Sequence, residues 1–290
     1  MTERLFLRLD GDLSHGPETT VPADTLRSFA VGAQLGAHVS QILLYRETFA
    51  DGAEVADRVL PDGAVRLVIH LGDGTPAGPA AGPQGSVAIG AAAAPVLLRW
   101  RRSRMHSISV ALRPGAASAL LGVPAGELQG MTVALDAVWG PCFHALRERM
   151  VEQADDEARV ALLRLWLEQR LSQSARPANP RAVQAAALLA TSAGRMRPRG
   201  GGRRRWHGRA APATDLPCRE VGMSPKAWGR LARLHACLRA LRGGPAAPWA
   251  ALAADGGFYD QAHLANEFRA LCGLSPTEFL QRGVSLSSKT

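Results

Sequence analysis

Five polar residues near the carboxyl end of the chain have side chains that can bind nucleic acid. Gln261 and Asn266 each carry an amide that can hydrogen-bond the edge of an adenine with two bonds. His263 can donate to a phosphate or a base acceptor, and Arg269 can contact the phosphate backbone. Asp260 precedes them at a position typical of a helix N-cap. Side chains of these types can hydrogen-bond the edges of bases and contact a polyanion.

Residue patterns of enzymes and metal sites do not occur in the sequence. It contains no G-x-S-x-G, phosphate-binding loop, G-x-G-x-x-G or H-E-x-x-H motif. The paired acids Asp155 and Asp156 lie at a predicted helix start, where they complement the helix dipole. His70, His106 and His144 lack the close pairing of metal ligands. No C-x-x-C pair occurs, so reduced and mostly buried thiols are expected at Cys142, Cys218, Cys237 and Cys272. We therefore expect no enzyme activity, no metal and no cofactor.

Helices separated by short turns are predicted to position the polar residues. A long helix over residues 224–242 has Ser224 as its N-cap and Pro225 at its first position, and it ends at Gly243. Two short helices joined by a glycine-containing turn follow over residues 248–270. Helix, tight turn and helix is the geometry that presents a second helix to the DNA major groove.

Residues 178–283 resemble the C-terminal DNA-binding domain of the AraC/XylS family of transcriptional regulators. The resemblance is carried by LAADGGFYDQAHLANEFRALCGLSPTEF over residues 252–279. This stretch keeps the family's spacing A-x-x-x-G-F/Y-x-D-Q-x-H-F-x-x-x-F-x-x-x-x-G-x-x-P-x-x-F. The resemblance implies an all-α domain with two helix-turn-helix units bridged by the long helix. It also implies core and turn positions at Ala251, Leu252, Gly257, Phe258, Leu264, Phe268 and Gly273.

The same resemblance implies that four polar residues lie on the exposed side of the second recognition helix: Asp260, Gln261, His263 and Asn266. Asn266 departs from the arginine that the family usually carries there. An ordinary solvated helix face is the alternative for each residue, and His263 fits a helix-capping or phosphate-positioning role better than base readout. The candidate DNA-binding residues are Asp260, Gln261, His263, Asn266, Arg269 and Lys226.

The family's first helix-turn-helix unit would occupy residues 195–222, where the sequence lacks helical character. Three consecutive glycines and three prolines there oppose a helix, and they lie among Arg195, Arg197, Arg199, Arg203, Arg204, Arg205 and Arg209. An Arg/Gly-rich arm that binds DNA and a disordered linker are two interpretations. A third is that residues 198–218 are translated in a shifted frame. Read one nucleotide later, GC-rich codons can encode G-M-x-E-R-x-L-Q-R-x-F-R, the family's first recognition helix. Resequencing the gene tests this hypothesis; with the stretch as printed, only one intact DNA-reading unit remains.

The amino-terminal part is predicted to be mainly β from residue 39 to residue 110. Short apolar runs alternate there with Gly, Pro and Asp clusters, residues 72–85 form an exposed hairpin loop, and amphipathic helices follow over 138–150 and 155–171. The L-P-D-G and R-P-G-A motifs resemble those of an uncharacterised β-rich domain that commonly precedes such DNA-binding domains. The resemblance implies a regulatory module that binds a small-molecule effector or a second copy of the chain. Asp62 and Arg113 are candidate pocket or turn residues, and turn chemistry accounts for them more simply.

The fold class expected from these features is a two-domain α+β protein. A mainly-β, barrel-like domain with closing helices would span residues 1–175, and an all-α DNA-binding domain would span residues 178–285. The net charge is +9; residues 178–290 carry +11 and residues 1–177 carry −2, which favours a polyanionic partner for the C-terminal part. Without the seven clustered arginines that part still has +4.

Location and function follow from the same sequence features. No apolar run approaches the roughly 20 residues needed to span a bilayer, so a cytoplasmic protein that does not contact membranes is expected. The predicted function is sequence-specific DNA-binding regulation of transcription, with a homodimer as one arrangement. The alternative is a sensor or interaction protein with a decayed, weak or non-specific DNA-binding domain.

Overall fold

The computed structural model is built of a β-rich amino-terminal part and a helical carboxyl-terminal part. It describes residues 2–7, 19–50, 55–72, 85–100, 104–175, 215–242 and 249–287. The predicted hairpin loop and the cluster of seven arginines fall largely or wholly outside these residues. The stretch RAVQAAALLATSAG after Pro180, for which the sequence predicts a helix, also lies outside them.

The larger sheet is antiparallel and has six strands. They are β2 (Leu26–Phe29), β3 (Val39–Thr48), β5 (Arg66–His70), β6 (Val87–Ile89), β8 (Arg104–Leu112) and β9 (Thr132–Ala134). Their order across the sheet is β2-β3-β8-β5-β6-β9. Residues alternate between its two faces: Ile108 and Val110 of β8 are buried in the main core, whereas Ser107 and Ser109 face the opposite side.

The smaller sheet has the order β1-β4-β7, with β1 (Thr2–Phe6) parallel to β4 (Val55–Val59) and β4 antiparallel to β7 (Val96–Trp100). Side chains of both sheets line one cavity, so the sheets face each other across it. The domain is therefore barrel-like in enclosing a cavity, although its strands form two separate sheets. The apolar runs ILLY, VRLVIHL, SVAIG, PVLLRW and SISVAL predict β3, β5, β6, β7 and β8, whereas no such run predicts β1, β2, β4 or β9.

Helices cover the other face of the larger sheet. They are α1 (Ala117–Leu121), α2 (Leu135–Trp139), α3 (Pro141–Val151) and α4 (Asp156–Gln173). The helix predicted over 138–150 is interrupted at Gly140, whose positive φ of 66° separates α2 from α3 and whose neighbour Pro141 begins the new helix. Asp155 caps α4 by accepting a hydrogen bond from the Ala158 N–H at 2.7 Å, which confirms the predicted helix start.

The carboxyl-terminal part is helical in the residues that the structure describes. Its helices are α5 (Asp215–Val221), α6 (Pro225–Arg242), α7 (Trp249–Asp255), α8 (Gln261–Cys272) and α9 (Pro276–Ser287). The predicted long helix is α6, and the Ser224 hydroxyl caps it by accepting from the Ala227 N–H at 3.2 Å. The expectation that nothing in 195–222 is helical was wrong for α5. Pro217 is compatible with that helix because it lies in the first turn, where a backbone N–H has no intrahelical acceptor.

The two parts share apolar cores. Leu5, Leu7 and Leu60 are almost fully buried in the same cluster as the α6–α9 side chains. Leu231 of α6 is buried in the main core under the larger sheet. The helices of the carboxyl-terminal part are thus packed onto both sheets of the amino-terminal part.

Candidate nucleic-acid interface and cavity

Helix α8 starts at a capped turn that fixes its direction. The Asp260 carboxylate accepts a hydrogen bond from the His263 N–H at 2.7 Å, as the sequence predicted for an N-cap. Gly257, with φ of 73°, makes the turn after α7. Gly273, with φ of 69°, ends α8 in the left-handed conformation typical of a helix end.

One side of α8 is buried and the other is exposed. Leu264, Phe268, Leu271 and Cys272 lie in the helical core, where the Phe268 ring packs edge-on against Phe279 with centroids 5.3 Å apart. The predicted DNA-binding residues Gln261, Asn266 and Arg269 are exposed. Asn266 and Arg269 are three residues apart and therefore neighbours on the helix surface.

His263 is held by the turn that precedes α8. Its Nδ1 accepts a hydrogen bond from the Tyr259 N–H at 3.3 Å, and its ring packs edge-on against Phe258 with centroids 5.5 Å apart. Its Nε2 lies 3.9 Å from a Glu267 carboxylate oxygen. The ring thus accepts from a backbone N–H of the turn before α8.

An ion pair connects α8 to α6. The Arg230 Nε donates to the Glu267 carboxylate at 2.6 Å. Lys226, which is exposed, precedes Arg230 by one turn and lies on the same side of α6. Lys226 therefore lies on the side of α6 that contacts α8 through Arg230.

Tyr259 is an exposed residue of this region that the sequence analysis did not select. Its side chain is 92 % exposed, directly before the N-cap of α8. A phenol at such a position can donate to a phosphate oxygen. The neighbouring Phe258 is buried. The only indication in the sequence that Tyr259 is exposed is its polar hydroxyl, which Phe258 lacks.

A cavity of about 120 Å³ lies between the two sheets. Leu43, Val59, Val68 and Met105 are among its apolar lining residues. Asp62 lines the cavity, pairs with Arg66, and accepts a hydrogen bond from the Ala64 N–H at 2.9 Å, as turn chemistry predicted. Polar lining side chains are those of Tyr45, Asp57, Asp62, Arg66, Ser107 and Ser109. Arg113 is not in the lining; its Nε donates to the Gly36 carbonyl at 2.7 Å.

The histidines and cysteines of the described part form no metal-binding group of three or more. His106 lies 3.1 Å from the buried Asp156, and burial lowers the pKa of His70 to about 4. The cysteines are free: Cys237 and Cys272 are buried, Cys218 is half-buried and Cys142 is exposed. Burial raises the pKa of the Cys237 thiol to about 11. In the described residues, no helix is both long and apolar enough to cross a membrane.

Two family models match parts of the chain. One, described as a helix-turn-helix domain, matches residues 218–282. The other, described as a domain of unknown function (DUF6597), matches residues 28–134. No curated protein matches the chain significantly.

Solved structures of ToxT from Vibrio cholerae are similar to this chain. The 1.65 Å structure has 10 % identity and a TM-score of 0.41, over 83 % of this chain and 98 % of that one. ToxT bound to (E)-4-(8-methylnaphthalen-1-yl)but-3-enoic acid has 10 % identity and a TM-score of 0.39, over 83 % and 99 %. ToxT with bound unsaturated fatty acid has 10 % identity and a TM-score of 0.36, over 82 % and 94 %.

The helical geometry and the family matches agree on the nature of the carboxyl-terminal part. Helices α7 and α8 form the expected pair of helices around a tight turn, inside the matched range. The amino-terminal match covers most of the larger sheet. The chain thus carries an AraC-type helix-turn-helix domain in its carboxyl-terminal part and, before it, a domain of unknown function.

Proposed function

We propose that the protein is a sequence-specific transcriptional regulator whose helix α8 reads the DNA major groove. The observation that carries the proposal is the exposed side of α8 within an AraC-type helix-turn-helix domain. The Asn266 amide can pair with adenine, and the neighbouring Arg269 can contact a phosphate. Gln261, exposed in the first turn, offers a second amide at the end of the helix that enters the groove in helix-turn-helix proteins.

Two acidic residues at α8, Glu267 and Asp260, would repel the phosphates of DNA. Each of them has a partner within the protein that reduces this repulsion. Glu267 forms an ion pair with Arg230, which offsets its charge. Asp260 uses one carboxylate oxygen to cap the helix. These contacts support a DNA-facing role for α8.

The proposed function assigns a different role to each of the two parts of the chain. Residues 1–175 would form the regulatory part and residues 178–285 the DNA-binding part. The cavity between the two sheets supports a small-molecule effector as the regulatory partner. Because residues 195–222 lack the sequence of a complete first unit, a homodimer would supply the second reading helix.

Electrophoretic mobility shift on DNA upstream of the protein's own gene tests this function. We expect sequence-specific retention, and a loss of about ten- to hundredfold in affinity for each of Gln261→Ala and Asn266→Ala. The matched control is Gln169→Ala, which removes an exposed helical amide from α4. Equal retention of unrelated DNA, or an equal effect of the control, would contradict the proposal.

Salt dependence separates specific from purely electrostatic binding. Arg269→Ala should reduce the slope of log affinity against log salt by about one, because one phosphate contact is lost. Arg149→Ala is the matched control, an exposed arginine in the last turn of α3. Steep salt dependence without sequence preference would instead support the alternative, a sensor protein with a non-specific DNA-binding domain.

A further inference from the structure

We propose that the cavity between the two sheets binds a small, uncharged and mainly apolar molecule that carries one hydroxyl or carbonyl group. The binding site is argued from the cavity itself. Only the role of the bound molecule as an effector rests on the proposed function. The size of the cavity, the character of its walls, the pairing of its charges and one hydroxyl that is open to it each point to this class of ligand.

The cavity has room for a molecule of one ring. Its volume is about 120 Å³. In another protein, a cavity of about 150 Å³ lined by aliphatic and aromatic side chains binds benzene. The two volumes are similar, so a compound of one ring with at most one small substituent matches the size of this cavity.

Apolar side chains of both sheets form most of the wall. The larger sheet contributes residues such as Leu43, Val68 and Met105, and the smaller sheet contributes Val59 and Leu98. These residues alternate along their strands with residues buried in the main core or outside the cavity. Replacing water at such a surface with an apolar ligand is favourable, because apolar area is removed from water.

The charged groups that line the cavity are paired within the protein. Asp57, 5 % exposed, accepts from the Arg4 Nε at 2.8 Å. Asp62 is paired with Arg66, whose Nη1 also donates to the Ser109 hydroxyl at 3.2 Å. A ligand with a formal charge would have to compete for one of these partners.

Tyr45 belongs to the same network of polar groups. Its hydroxyl donates to Glu47 and accepts from the Arg4 Nη2 at 2.7 Å. Burial and the neighbouring carboxylates raise the pKa of Tyr45 well above its ordinary value, so the phenol stays neutral. Among the residues that the structure describes, the cavity therefore presents no unpaired cation to an acid.

The balance of charge disfavours an anionic ligand further. The three carboxylates of Asp57, Asp62 and Glu47 meet two guanidinium groups, those of Arg4 and Arg66. A carboxylate ligand would add a fourth negative charge to a partly desolvated site. A cationic ligand would lose its hydration while each of these carboxylates keeps its arginine partner.

Ser107 supplies the polar contact. It lies in the cavity wall and is 4 % exposed. Its hydroxyl makes no hydrogen bond to the described residues, and it is not one of their fully enclosed unpaired polar atoms, so it is open to the cavity. A hydroxyl or carbonyl group on the ligand would hydrogen-bond to it in place of water.

Binding of three similar molecules with different charge to the full-length protein at pH 7 tests the proposal. The probes are benzyl alcohol, benzoate and benzylammonium, titrated by calorimetry. We expect benzyl alcohol to bind with a dissociation constant on the order of 1 mM, and the two ions to bind at least about tenfold more weakly. No binding of benzyl alcohol, or equal or tighter binding of an ion, would overturn the proposal.

Variants locate the binding site. Val68→Phe should fill the cavity and reduce the affinity for benzyl alcohol by at least about tenfold, whereas Val133→Phe adds the same group to the edge strand β9, outside the lining. Circular dichroism establishes that both variants fold. Unchanged binding by Val68→Phe, or equal loss in both variants, would place the ligand elsewhere and refute the site.

A second variant separates the hydrogen bond from apolar contact and keeps the proposal testable if Val68→Phe does not fold. Ser107→Ala should weaken benzyl alcohol about fivefold and leave toluene, which has no hydroxyl, unchanged. An equal effect on the two compounds would contradict the role of Ser107. If the probe binds but DNA is not retained specifically, the ligand site is supported and the proposed regulatory function is refuted. If DNA is retained specifically but the probe does not bind, the regulatory function is supported and the ligand site is refuted.

Discussion

Two aspartates cap their helices with the same geometry, and this pair allows local stability to be separated from DNA contact. Asp260 accepts from the His263 N–H and Asp155 from the Ala158 N–H, both at 2.7 Å. Asp260→Ala and Asp155→Ala should each lower the free energy of unfolding by about 1 kcal/mol. Only Asp260→Ala should weaken DNA binding, because its cap fixes the start of α8. Urea unfolding and mobility shift measure the two effects, and equal loss of DNA binding in both variants would contradict the assignment.

A buried histidine makes the stability of the amino-terminal part depend on pH. His70 is 1 % exposed, and burial, with a contribution from Arg147, lowers its pKa to about 4 from 6.5. The unfolded chain therefore binds more protons between these pH values, so stability is lost as the pH falls from about 6.5 to about 4. The loss should be about 3 kcal/mol and should be largely absent in His70→Gln. Urea titrations at several pH values measure it, and an identical pH dependence in the variant would refute it.

At the level of residues, the sequence predicted those functions that a local pattern carries. The N-cap role of Asp260 and the turn role of Asp62 follow from their immediate neighbours, and both are confirmed. Ser107 was not predicted as a cavity residue. The alternating run SISVAL is the same whether the polar side faces solvent or a second sheet, and only the tertiary structure distinguishes the two.

At the level of elements, strongly apolar segments were predictable and short mixed ones were not. β3 and β8 have apolar runs, but β1 (TERLF) and β4 (VADRV) carry charged residues inside the strand. Those charges are satisfied across the sheet, where Arg4 pairs with Asp57. This long-range pairing has no local signal. Helix α5 was missed because proline was counted against it although it lies in the first turn.

The turn at residues 60–64 connects the cavity to the DNA-binding part. Pro61, Asp62 and Gly63 line the cavity. On its other side, the turn packs against Trp228, and the Pro61 carbonyl lies 3.0 Å from the His235 Nε2 of α6. A ligand that displaces this turn would therefore act on α6, the helix that holds α8 through the ion pair at Glu267.

Gly63→Ala tests how tightly this turn is packed. Gly63 has a φ of 80°, and an added Cβ would lie 2.5 Å from the Trp228 ring. The substitution should lower the free energy of unfolding by roughly 2–4 kcal/mol, from backbone strain together with overpacking. Gly122→Ala is the matched control, with φ of 73° and no atom within 4 Å of the added Cβ, and it should cost only about 1 kcal/mol. Equal destabilisation in urea would show that α6 does not pack on the turn.

At the scale of the whole molecule, the two parts share apolar cores. Leu5 and Leu7, which flank the end of β1, are buried among residues of α6–α9. Leu231 of α6 in turn is buried under the larger sheet. The sequence predicts two parts, and it carries no signal for this shared packing, because contacts between segments far apart in the chain leave no periodic pattern.

Selection of binding sites from a random pool of duplex DNA by the full-length protein tests DNA recognition most directly. We predict an enriched sequence motif for the unaltered protein and for Gln169→Ala, and loss or change of that motif for the double variant Gln261→Ala/Asn266→Ala. Absence of any enriched motif, or an unchanged motif in the double variant, would contradict the role of α8 as the reading helix.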